Sequence, residues 1–395
     1  MSKKKAEQTA NLYEEISKEL SSNLLNELEE TKDFIDTGNL AINYSCSGKF
    51  GTGGVPTNKI IEAFGPHASG KSLIGSNLIS AAQRKGYWTV LVDMEDAANP
   101  EFMQKVSKVD PSKVFRLKSD SLENSFQRIH SSVRKIRELE KSKGLAKRPF
   151  LFIYDSIAVA TIERELREND LEEDYSEADF KRIVGAKSQP GERAKQVAGC
   201  LRKLLPLLEK ENVTFYIINQ VRDKIGFFGG EVTTSGKSLA YYASLRFRTS
   251  TMKKIEDKKT KKFSGINMQV DNKKNRSFSP FVKATDVKLY FSHGIDPISG
   301  LLGALEESDR VSMKSAGNWI VNANWLPEGK DEYKFKASKT ENRLPKEVLL
   351  DCPRLIDFTT RAEVESYISN WDSGLQATEG GDFEEGEEIV EPLDE

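Results

Sequence analysis

The sequence contains a phosphate-binding motif between a short apolar run and an amphipathic one. Its residues, in order, are Gly65, Pro66, His67, Ala68, Ser69, Gly70, Lys71 and Ser72. This order fits the P-loop pattern, in which glycines let backbone amides turn inward around a β-phosphate at the start of a helix. The pattern predicts that Lys71 contacts the β- and γ-phosphates of ATP and that the Ser72 hydroxyl ligates Mg²⁺.

Two acidic side chains follow other apolar runs of the chain. Asp155 ends the run Phe150–Asp155, which has the form of a Walker B strand whose acid orients Mg²⁺ through water. Glu95 comes just after the run Trp88–Asp93, and the carboxyl ends of parallel strands meet at one edge of a sheet. We therefore expect Asp155 at the metal site and Glu95 as the base that orients the attacking water. Either acid, taken alone, would be interpreted as a solvated residue at the start of a helix.

The strands and helices predicted around these side chains follow an α/β pattern. From Ile60 to about Ser292, short apolar runs alternate with longer amphipathic ones, which is typical of a parallel sheet flanked by helices. The predicted strands are Ile60–Phe64, Trp88–Asp93, Phe150–Asp155, Val213–Asn219, Ser244–Arg248, Ile266–Val270 and Asp286–Phe291. The predicted helices between them are Ser72–Arg84, Leu122–Glu140 and Arg193–Leu208. The last three strands follow one another without helices, so we expect an antiparallel edge on a mainly parallel, twisted sheet.

Composition excludes several classes of protein. Of the 395 residues, 37% are hydrophobic and 30% are charged, and the longest apolar runs are far too short to span a bilayer. The first ten residues contain lysines but no following apolar stretch, so they do not read as a secretory signal and the cytoplasm is the expected compartment. Cys46, Cys200 and Cys352 are widely separated, which predicts reduced thiols and no zinc site.

The charge is divided between the body of the chain and its end. The net charge is −2, but the last segment contains nine acids and no bases: Glu379, Asp382, Glu384, Glu385, Glu387, Glu388, Glu391, Asp394 and Glu395. Setting those nine charges aside changes the net charge to +7 for residues 1–378. A mildly basic body with an acidic tail fits a protein that binds phosphate backbones and whose tail competes for the same surface. Charge alone is equally compatible with a tail that only improves solubility.

Residues 11–30 read as an amphipathic helix. Apolar residues recur every four positions among polar ones, at Leu12, Ile16, Leu20, Leu24 and Leu28. Such a stripe packs either on its own domain or on a neighbouring subunit, and the pattern itself does not choose between the two.

The segments around the motifs resemble the RecA recombinase family. The segments that carry the resemblance are Ile35–Ile42, Gly53–Pro56, Ile60–Glu62, Val92–Glu95, Asn99–Phe102, Tyr154–Ser156 and Ile218–Arg222. The resemblance implies a RecA-type P-loop ATPase core, with Glu95 as the general base and Gln220 as the sensor of the γ-phosphate. It also implies that Phe102, where the family has a tyrosine, stacks on adenine, and a phenyl ring can do so.

A segment rich in cations, glycines and aromatic residues follows Gln220. It contains Arg222, Lys224, Ile225, Gly226, Phe227, Phe228, Gly229 and Gly230, and it precedes Thr233–Gly236, which includes Thr234 and Gly236. Cations that hold phosphates beside apolar side chains that insert between bases would bind a single strand with little dependence on sequence. A lone aromatic loop is more often a packing feature. The resemblance to the family's second DNA-binding loop favours DNA.

Other basic residues take their interpretation from the same resemblance. The family's first DNA loop would fall between Leu166 and Gln189, where this chain is longer and acidic, so we infer no DNA contact there. On the following helix, Lys195 and Arg202 are candidate phosphate contacts, with a solvated helical face as the alternative. Lys274 and Arg276 match the paired cations that reach the ATP of the neighbouring subunit, although a basic turn is more often a solvated or DNA-facing patch.

The resemblance implies four regions. Residues 1–32 would be an N-terminal helix for subunit packing, 33–294 the ATPase core with its DNA loops, 295–371 a small C-terminal domain and 372–395 a disordered acidic tail. The segments Gly294–Pro297 and Ser299–Leu302 look closest to the phage UvsX-type recombinases, which would place the protein in a host cytoplasm if it is phage-encoded.

The function implied is that of an ATP- and Mg²⁺-dependent DNA recombinase. It would form helical filaments on single-stranded DNA and catalyse pairing and strand exchange with a homologous duplex, assisted by a single-strand-binding protein and a loader. Two alternatives stay open. A hexameric helicase or translocase would be expected to have a primase-binding domain before Gly65, where this sequence is short. A regulatory RecA-like ATPase would usually lack the loop Arg222–Gly230.

Overall fold

The computed structural model describes residues 33–163, 191–223, 231–233, 237–257, 261–372 and 383–385. The chain divides into two compact units, residues 1–33 and 34–395, and the elements below belong to the second. The predicted helix over residues 11–30 and the acidic loop over 166–189 lie outside the described residues. No helix in the described ranges is long and apolar enough to cross a membrane.

The chain enters the core through two short strands and a buried helix. The strands β1 (Phe34–Ile35) and β2 (Val55–Pro56) pair with each other in antiparallel orientation. Between them lies α1 (Leu40–Ser47), which begins at Asn39, whose side chain accepts a hydrogen bond from the Ile42 amide. This helix was not predicted from the sequence, because it is buried on nearly every side and has no amphipathic period to detect.

Five strands form the parallel part of the central sheet. They are β3 (Ile60–Gly65), β4 (Trp88–Asp93), β5 (Val114–Leu117), β6 (Phe150–Asp155) and β7 (Val213–Asp223), in the spatial order β5-β4-β6-β7-β3. The parallel sheet predicted from the alternating pattern is therefore confirmed. The edge strand β5 was not predicted, because it is short and only partly buried and thus lacks the continuous apolar run of the central strands.

The other edge of the sheet is antiparallel, as predicted. Three residues at β8 (Glu231–Thr233) pair with the end of β7. The strands β9 (Leu245–Asp257), β10 (Phe263–Asn275), β11 (Lys283–Tyr290) and β12 (Gly294–Ile295) then follow as antiparallel neighbours, with β9 parallel to β3. Both β9 and β10 are much longer than their predicted apolar segments. Their backbones continue to pair where the side chains become polar, and hydrophobic patterning does not detect such an extension.

Helices cover both faces of the sheet. On one face α2 (Lys71–Arg84) packs on the strands, followed along the chain by α3 (Pro100–Ser107). On the other face lie α4 (Leu122–Ser142), α5 (Glu192–Lys210) and the short α6 (Ser238–Tyr242). Ile74 and Leu78 pack with Tyr216 in one buried cluster, whereas Phe126 and Leu201 pack with Phe152 in the other. The result is a three-layer arrangement in which both faces of the parallel strands are covered.

The C-terminal segment packs on the same unit. It contains α7 (Leu301–Glu307), a small sheet of β13 (Val311–Ser315), β14 (Asn318–Val321) and β15 (Lys334–Lys336), and the helices α8 (Lys346–Asp351) and α9 (Arg361–Asp372). The Arg310 guanidinium lies over the rings of Phe50 and Trp325 and donates to Asp357 at 2.8 Å. This arginine therefore joins the C-terminal segment to the loop after α1.

The structure describes one short part of the predicted disordered tail. Residues 373–382 and 386–395 lie outside the described residues, but β16 (Phe383–Glu385) pairs with β9. The disorder of residues 372–395 stays a prediction. It rested on acidic composition, which takes no account of backbone pairing with an edge that another strand leaves open.

Candidate functional site

The phosphate-binding motif lies between the end of β3 and the start of α2, as its pattern predicted. Gly65 has a φ of +153°, and a Cβ at this position would lie 2.2 Å from the Thr249 carbonyl oxygen. Gly70 has a φ of +88° and begins the helix in the left-handed region. Both positions therefore require glycine, and the intervening residues form a compact loop at the carboxyl edge of the sheet.

The middle of this loop combines exposed and buried residues. Pro66, His67 and Ala68 are exposed at its tip. Ser69 is buried, and its hydroxyl donates to the Pro66 carbonyl at 2.8 Å and shares a hydrogen bond of 2.7 Å with the Thr249 hydroxyl. Thr249 on β9 thus supports the loop. Its role was not predicted from the sequence, because it depends on a neighbouring strand.

Lys71 is buried inside the loop. Its ammonium group donates to the Gly65 carbonyl at 2.9 Å and to the Pro66 carbonyl. Burial lowers the pKa of Lys71 to about 8, and the carboxylates of Asp155 and Glu95 partly oppose this shift. A cation held in such a site interacts strongly with an anion that enters it, since little water screens the pair.

The donors of this site fit a polyphosphate. Helix α2 begins at Gly70 without a side-chain cap and has no acidic residue in its first turn. The helix start carries partial positive charge, and Lys71, its first residue, adds a full charge of the same sign. An anion with several oxygens would satisfy the free amides and both positive charges. The residues present therefore match the phosphates of a nucleotide.

Ser72 and Asp155 meet at the predicted metal position. The Ser72 hydroxyl donates to Asp155 Oδ2 at 2.8 Å. Burial raises the pKa of Asp155 to about 6; the Ser72 hydrogen bond lowers it, and the carboxylates of Glu95 and Asp93 raise it. A hydroxyl and a buried carboxylate are hard oxygen ligands of the kind that Mg²⁺ prefers, and a divalent cation would offset the repulsion among these acids. The pair therefore fits Mg²⁺.

Glu95 accepts hydrogen bonds from Ser156, which follows β6, and from Gln220 on β7. The Ser156 hydroxyl donates to Glu95 Oε1 at 2.5 Å, and the Gln220 side-chain amide donates to the same oxygen at 3.3 Å. Gln220 lies opposite Gly65 in the register of β7 and β3. The structure therefore brings the predicted base and the predicted γ-phosphate sensor together beside the P-loop. Ser156 was not predicted, because a serine that follows a strand has no distinctive sequence signal.

Asp93 has a structural role beside this site. Its carboxylate accepts hydrogen bonds from the amides of Ala97 and Ala98 at 3.2 Å each, and it pairs with the Arg116 guanidinium at 2.5 Å. These contacts shape the turn that carries Glu95. Arg116 comes from the edge strand β5, and neither this residue nor that strand was predicted from the sequence.

Phe102 lies on the wall of a cavity next to the metal position. The Asn99 side chain caps α3 by accepting from the Phe102 amide at 3.0 Å. The ring is 45% exposed. The cavity has a volume of about 220 Å³, and its lining also includes Ser72, Glu95 and Asp155. A planar ring at the wall of a cavity that reaches the P-loop is suited to stack on a base.

The structure describes three of the predicted DNA-binding residues. Lys195 and Arg202 are exposed on α5, and Arg222 is exposed on β7. The antiparallel pairing of β7 with β8 brings together the two ends of residues 224–230 at the carboxyl edge of the sheet. The other predicted contacts lie outside the described residues: Lys224, Ile225, Gly226, Phe227, Phe228, Gly229, Thr234 and Gly236.

Lys274 and Arg276 lie away from the P-loop of their own chain. The Lys274 ammonium donates to the carbonyls of Ala240 and Tyr241 at 2.8 and 2.9 Å, and Arg276 donates to Tyr241 at 3.5 Å. Burial lowers the pKa of Lys274, and the charges of Arg276 and Arg246 add to this effect.

The strand register fixes where these two cations lie. The Arg276 amide bonds to the Ser244 carbonyl, and the Ser244 amide bonds to the Ile60 carbonyl. The pair therefore lies at the amino end of β3, whereas the P-loop follows its carboxyl end. One chain alone does not bring the cations to its own phosphate site.

Comparison with known proteins agrees with this arrangement. The family model described as the RecA N-terminal domain matches residues 8–296. The protein RecA of Thermus thermophilus is 28% identical over 329 residues, which cover 81% of this chain and 86% of that protein. The protein RecA of Ureaplasma parvum is 29% identical over 314 residues, which cover 79% of this chain and 83% of that protein.

Proposed function

Since this chain belongs to the RecA family, we propose that it is a DNA recombinase that assembles as a filament on single-stranded DNA and exchanges strands with a homologous duplex. The family as a whole is one of DNA-dependent ATPases that act in recombination and repair. The observation that supports the proposal most directly is the convergence of Lys71, the Ser72–Asp155 pair and the Glu95–Gln220 pair at one edge of the sheet.

Five side chains of this chain would have separate roles in ATP binding and hydrolysis. Lys71 and the amides at the start of α2 would hold the β- and γ-phosphates, while Ser72 and Asp155 would hold Mg²⁺. Bound ATP would supply the phosphoanhydride bond that breaks, and Mg²⁺ would neutralise the negative charge that develops on the phosphate oxygens. Glu95 would accept the proton of the attacking water. Gln220, which touches Glu95, would connect the presence of the γ-phosphate to the strand that leads into the DNA loop.

Contact with single-stranded DNA would come from the carboxyl edge and from α5. Arg222 and the glycine- and phenylalanine-containing segment after it would contact phosphates and bases, and Lys195 and Arg202 would add phosphate contacts. Support for this part comes from the exposure of the three described cations and from the pairing of β7 with β8 at the ends of the loop.

The ATP site would be completed by a neighbouring subunit. Lys274 and Arg276 lie at the amino end of β3, away from their own P-loop, and donate to carbonyls of α6 beside Tyr241, whose side chain is 70% exposed. We infer that this surface faces the ATP of the next protomer in a filament. A cation at the γ-phosphate neutralises charge that develops in the transition state.

Finer features of the proposal rest on sequence likeness. The segments Gly294–Pro297 and Ser299–Leu302 support a UvsX-type recombinase of phage origin, acting in a host cytoplasm with a single-strand-binding protein and a loader. The N-terminal helix would pack on the neighbouring protomer, residues 295–371 would form a small C-terminal domain, and the acidic tail would modulate DNA binding.

Electron microscopy tests the proposal against its alternatives. The protein is mixed with single-stranded DNA and a slowly hydrolysed ATP analogue, with Lys71→Ala protein as the control. Helical filaments on the DNA that the control does not form are the expected result. Closed rings would indicate a helicase or translocase instead, and DNA-independent particles without filaments would indicate a regulatory ATPase.

A further inference from the structure

The short segment after β6 connects the predicted base with β7. Residues Ser156–Ala158 are buried, and the Ser156 hydroxyl donates to Glu95 Oε1 at 2.5 Å. The next residue, Ile157, donates its amide to the Ile218 carbonyl of β7 at 3.0 Å. A displacement of this segment would therefore move the hydroxyl that orients the base.

Arg193 reaches the same segment from the first turn of α5. Its guanidinium donates to the Ile157 carbonyl at 2.8 Å and to the Ala158 carbonyl at 2.6 Å. Both carbonyls belong to buried residues, and a buried carbonyl that loses its donor is costly to the fold. Hydrogen bonds from a charged donor are also stronger than those between neutral groups. The segment after β6 is therefore fixed by the helix as well as by the sheet.

The start of α5 is also linked to the residues proposed to bind DNA. Lys195, a proposed phosphate contact, is exposed on the same turn of the helix. The Ala194 carbonyl accepts a hydrogen bond of 3.0 Å from the hydroxyl of Ser238, the first residue of α6. Thr234 and Gly236, two predicted DNA contacts, come just before α6 in the sequence. One helical turn therefore carries a proposed DNA contact, a bond to α6 and the donor to the segment after β6.

We propose that Arg193 is a positioning residue that holds Ser156 against Glu95 and thereby couples the start of α5 to ATP hydrolysis. The inference rests on the proposed function. DNA phosphates at Lys195 fix the start of α5, and the two bonds from Arg193 fix the segment after β6 in turn. Ser156 then keeps Glu95 in the orientation that accepts the proton of the attacking water. Small displacements of a catalytic group reduce the rate strongly, so this coupling controls turnover.

A double-mutant cycle tests whether Arg193 acts through the Ser156 hydroxyl. Arg193→Met keeps an unbranched side chain and removes both hydrogen bonds, whereas Ser156→Ala removes the bond to Glu95. At saturating ATP and single-stranded DNA, each variant should lower kcat by about tenfold, and KM for ATP should change by less than about twofold. Because both variants act on one contact, the double variant should match Ser156→Ala alone. An unchanged kcat in Arg193→Met, or losses that multiply to about 100-fold, would overturn the proposal.

Hydrogen exchange of the full chain, without DNA or nucleotide, tests the contact itself. Arg193→Met should accelerate exchange of the Ile157 amide by more than about tenfold, because the segment loses its charged donor. The matched control Arg134→Met removes the same side chain from an exposed position of α4 and should change neither this exchange nor kcat. Exchange at the wild-type rate in Arg193→Met would contradict the proposal.

Arg193→Lys keeps the charge and can still donate to one carbonyl, so its kcat should lie between those of the wild type and Arg193→Met. If Arg193→Met does not fold, the cycle is carried out with Arg193→Lys. Its loss of kcat must then disappear in Ser156→Ala protein, and a loss that persists there would reject the role through Ser156.

The response to DNA separates this inference from the proposed function. The ratio of hydrolysis rates with and without single-stranded DNA should fall in Arg193→Met, while the affinity for DNA stays within about twofold, because the guanidinium faces the core. A loss of DNA affinity as large as the loss of kcat would make Arg193 a DNA contact instead. A wild type whose hydrolysis does not respond to DNA would refute the proposed function. A wild type that responds, with an equal response in Arg193→Met, would refute the role of Arg193 alone.

Discussion

The Gln220 side chain donates a hydrogen bond of 3.3 Å to the carboxylate of Glu95 across two strand ends. Gln220 also lies opposite Gly65, the first residue of the P-loop, in the register of the sheet. We expect a side chain that contacts the predicted base, on a strand that pairs beside the P-loop, to respond to ATP hydrolysis. Since its own strand continues toward Arg222, the same contact connects the ATP site to the proposed DNA site.

Variants of Lys71 and Glu95 should fail at different steps. Lys71→Ala removes a buried cation from the phosphate site and should abolish both nucleotide binding and filament formation. Glu95→Gln keeps the residues that would hold the phosphates and the metal, so it should bind ATP and form long-lived filaments. Its rate of ATP hydrolysis should fall by a factor of about 100 or more. Binding of a fluorescent ATP analogue and phosphate release measure the two steps. Normal hydrolysis by Glu95→Gln would show that Glu95 is not the base.

Asp155 should make the stability of the nucleotide-free protein depend on pH. Its pKa is raised to about 6 by burial, so between pH 4 and 6 the folded protein binds more protons than the unfolded chain. Its contribution to stability therefore falls as the pH rises through this window. A shift of about two units corresponds to about 2–3 kcal/mol.

The variant Asp155→Asn tests this dependence without removing the hydrogen bond from Ser72. In thermal unfolding with a chelator present, Asp155→Asn should be more stable than the wild type at pH 7.5 and equal to it near pH 4. The exposed Asp331→Asn serves as the control and should match the wild type at both values. A variant that is less stable than the wild type at pH 7.5 would contradict the assignment of Asp155 as a buried, disfavoured charge.

Deletion of Glu379–Glu395 should strengthen binding to duplex DNA. The deletion removes nine negative charges and raises the net charge of the remaining chain to +7. The attraction of the protein to DNA phosphates should therefore increase, and its repulsion from them should decrease. Titration of duplex DNA at several salt and Mg²⁺ concentrations measures the effect, which should be largest at low salt, where charges are screened least. Unchanged affinity for duplex DNA at low Mg²⁺ would indicate that the tail only improves solubility.

Lys274 and Arg276 should act on the ATP of a neighbouring subunit. Lys274→Ala with Arg276→Ala should retain nucleotide binding, because both residues lie at the amino end of β3, but should lose DNA-stimulated hydrolysis. Mixing this double variant with Lys71→Ala protein would restore interfaces that pair an intact P-loop with intact cations. Activity above that of both parents is the expected result. Mixed filaments without recovery of ATP hydrolysis would indicate that these residues form a solvated surface patch.

The residues of the predicted ATP site, and their meeting at one edge of the sheet, follow from the sequence alone. The P-loop residues, Asp155 and Glu95 each follow an apolar strand, and parallel strands place their carboxyl ends at one edge, so local patterns were enough to predict their meeting. The antiparallel edge followed in the same way from strands that lack helices between them. These predictions succeeded because the interactions that define them are close in sequence or imposed by the α/β pattern.

The contacts between side chains of different strands, in contrast, depend on the three-dimensional structure. The bonds of Ser156 and Gln220 to Glu95, of Thr249 to Ser69 and of Arg116 to Asp93 depend on strand order and register, which hydrophobic periodicity does not specify. The same holds for the length of the β9–β10 hairpin and for the strand Phe383–Glu385 on its open edge. Backbone hydrogen bonds form there between residues of any side-chain type, so the amino-acid pattern does not record them.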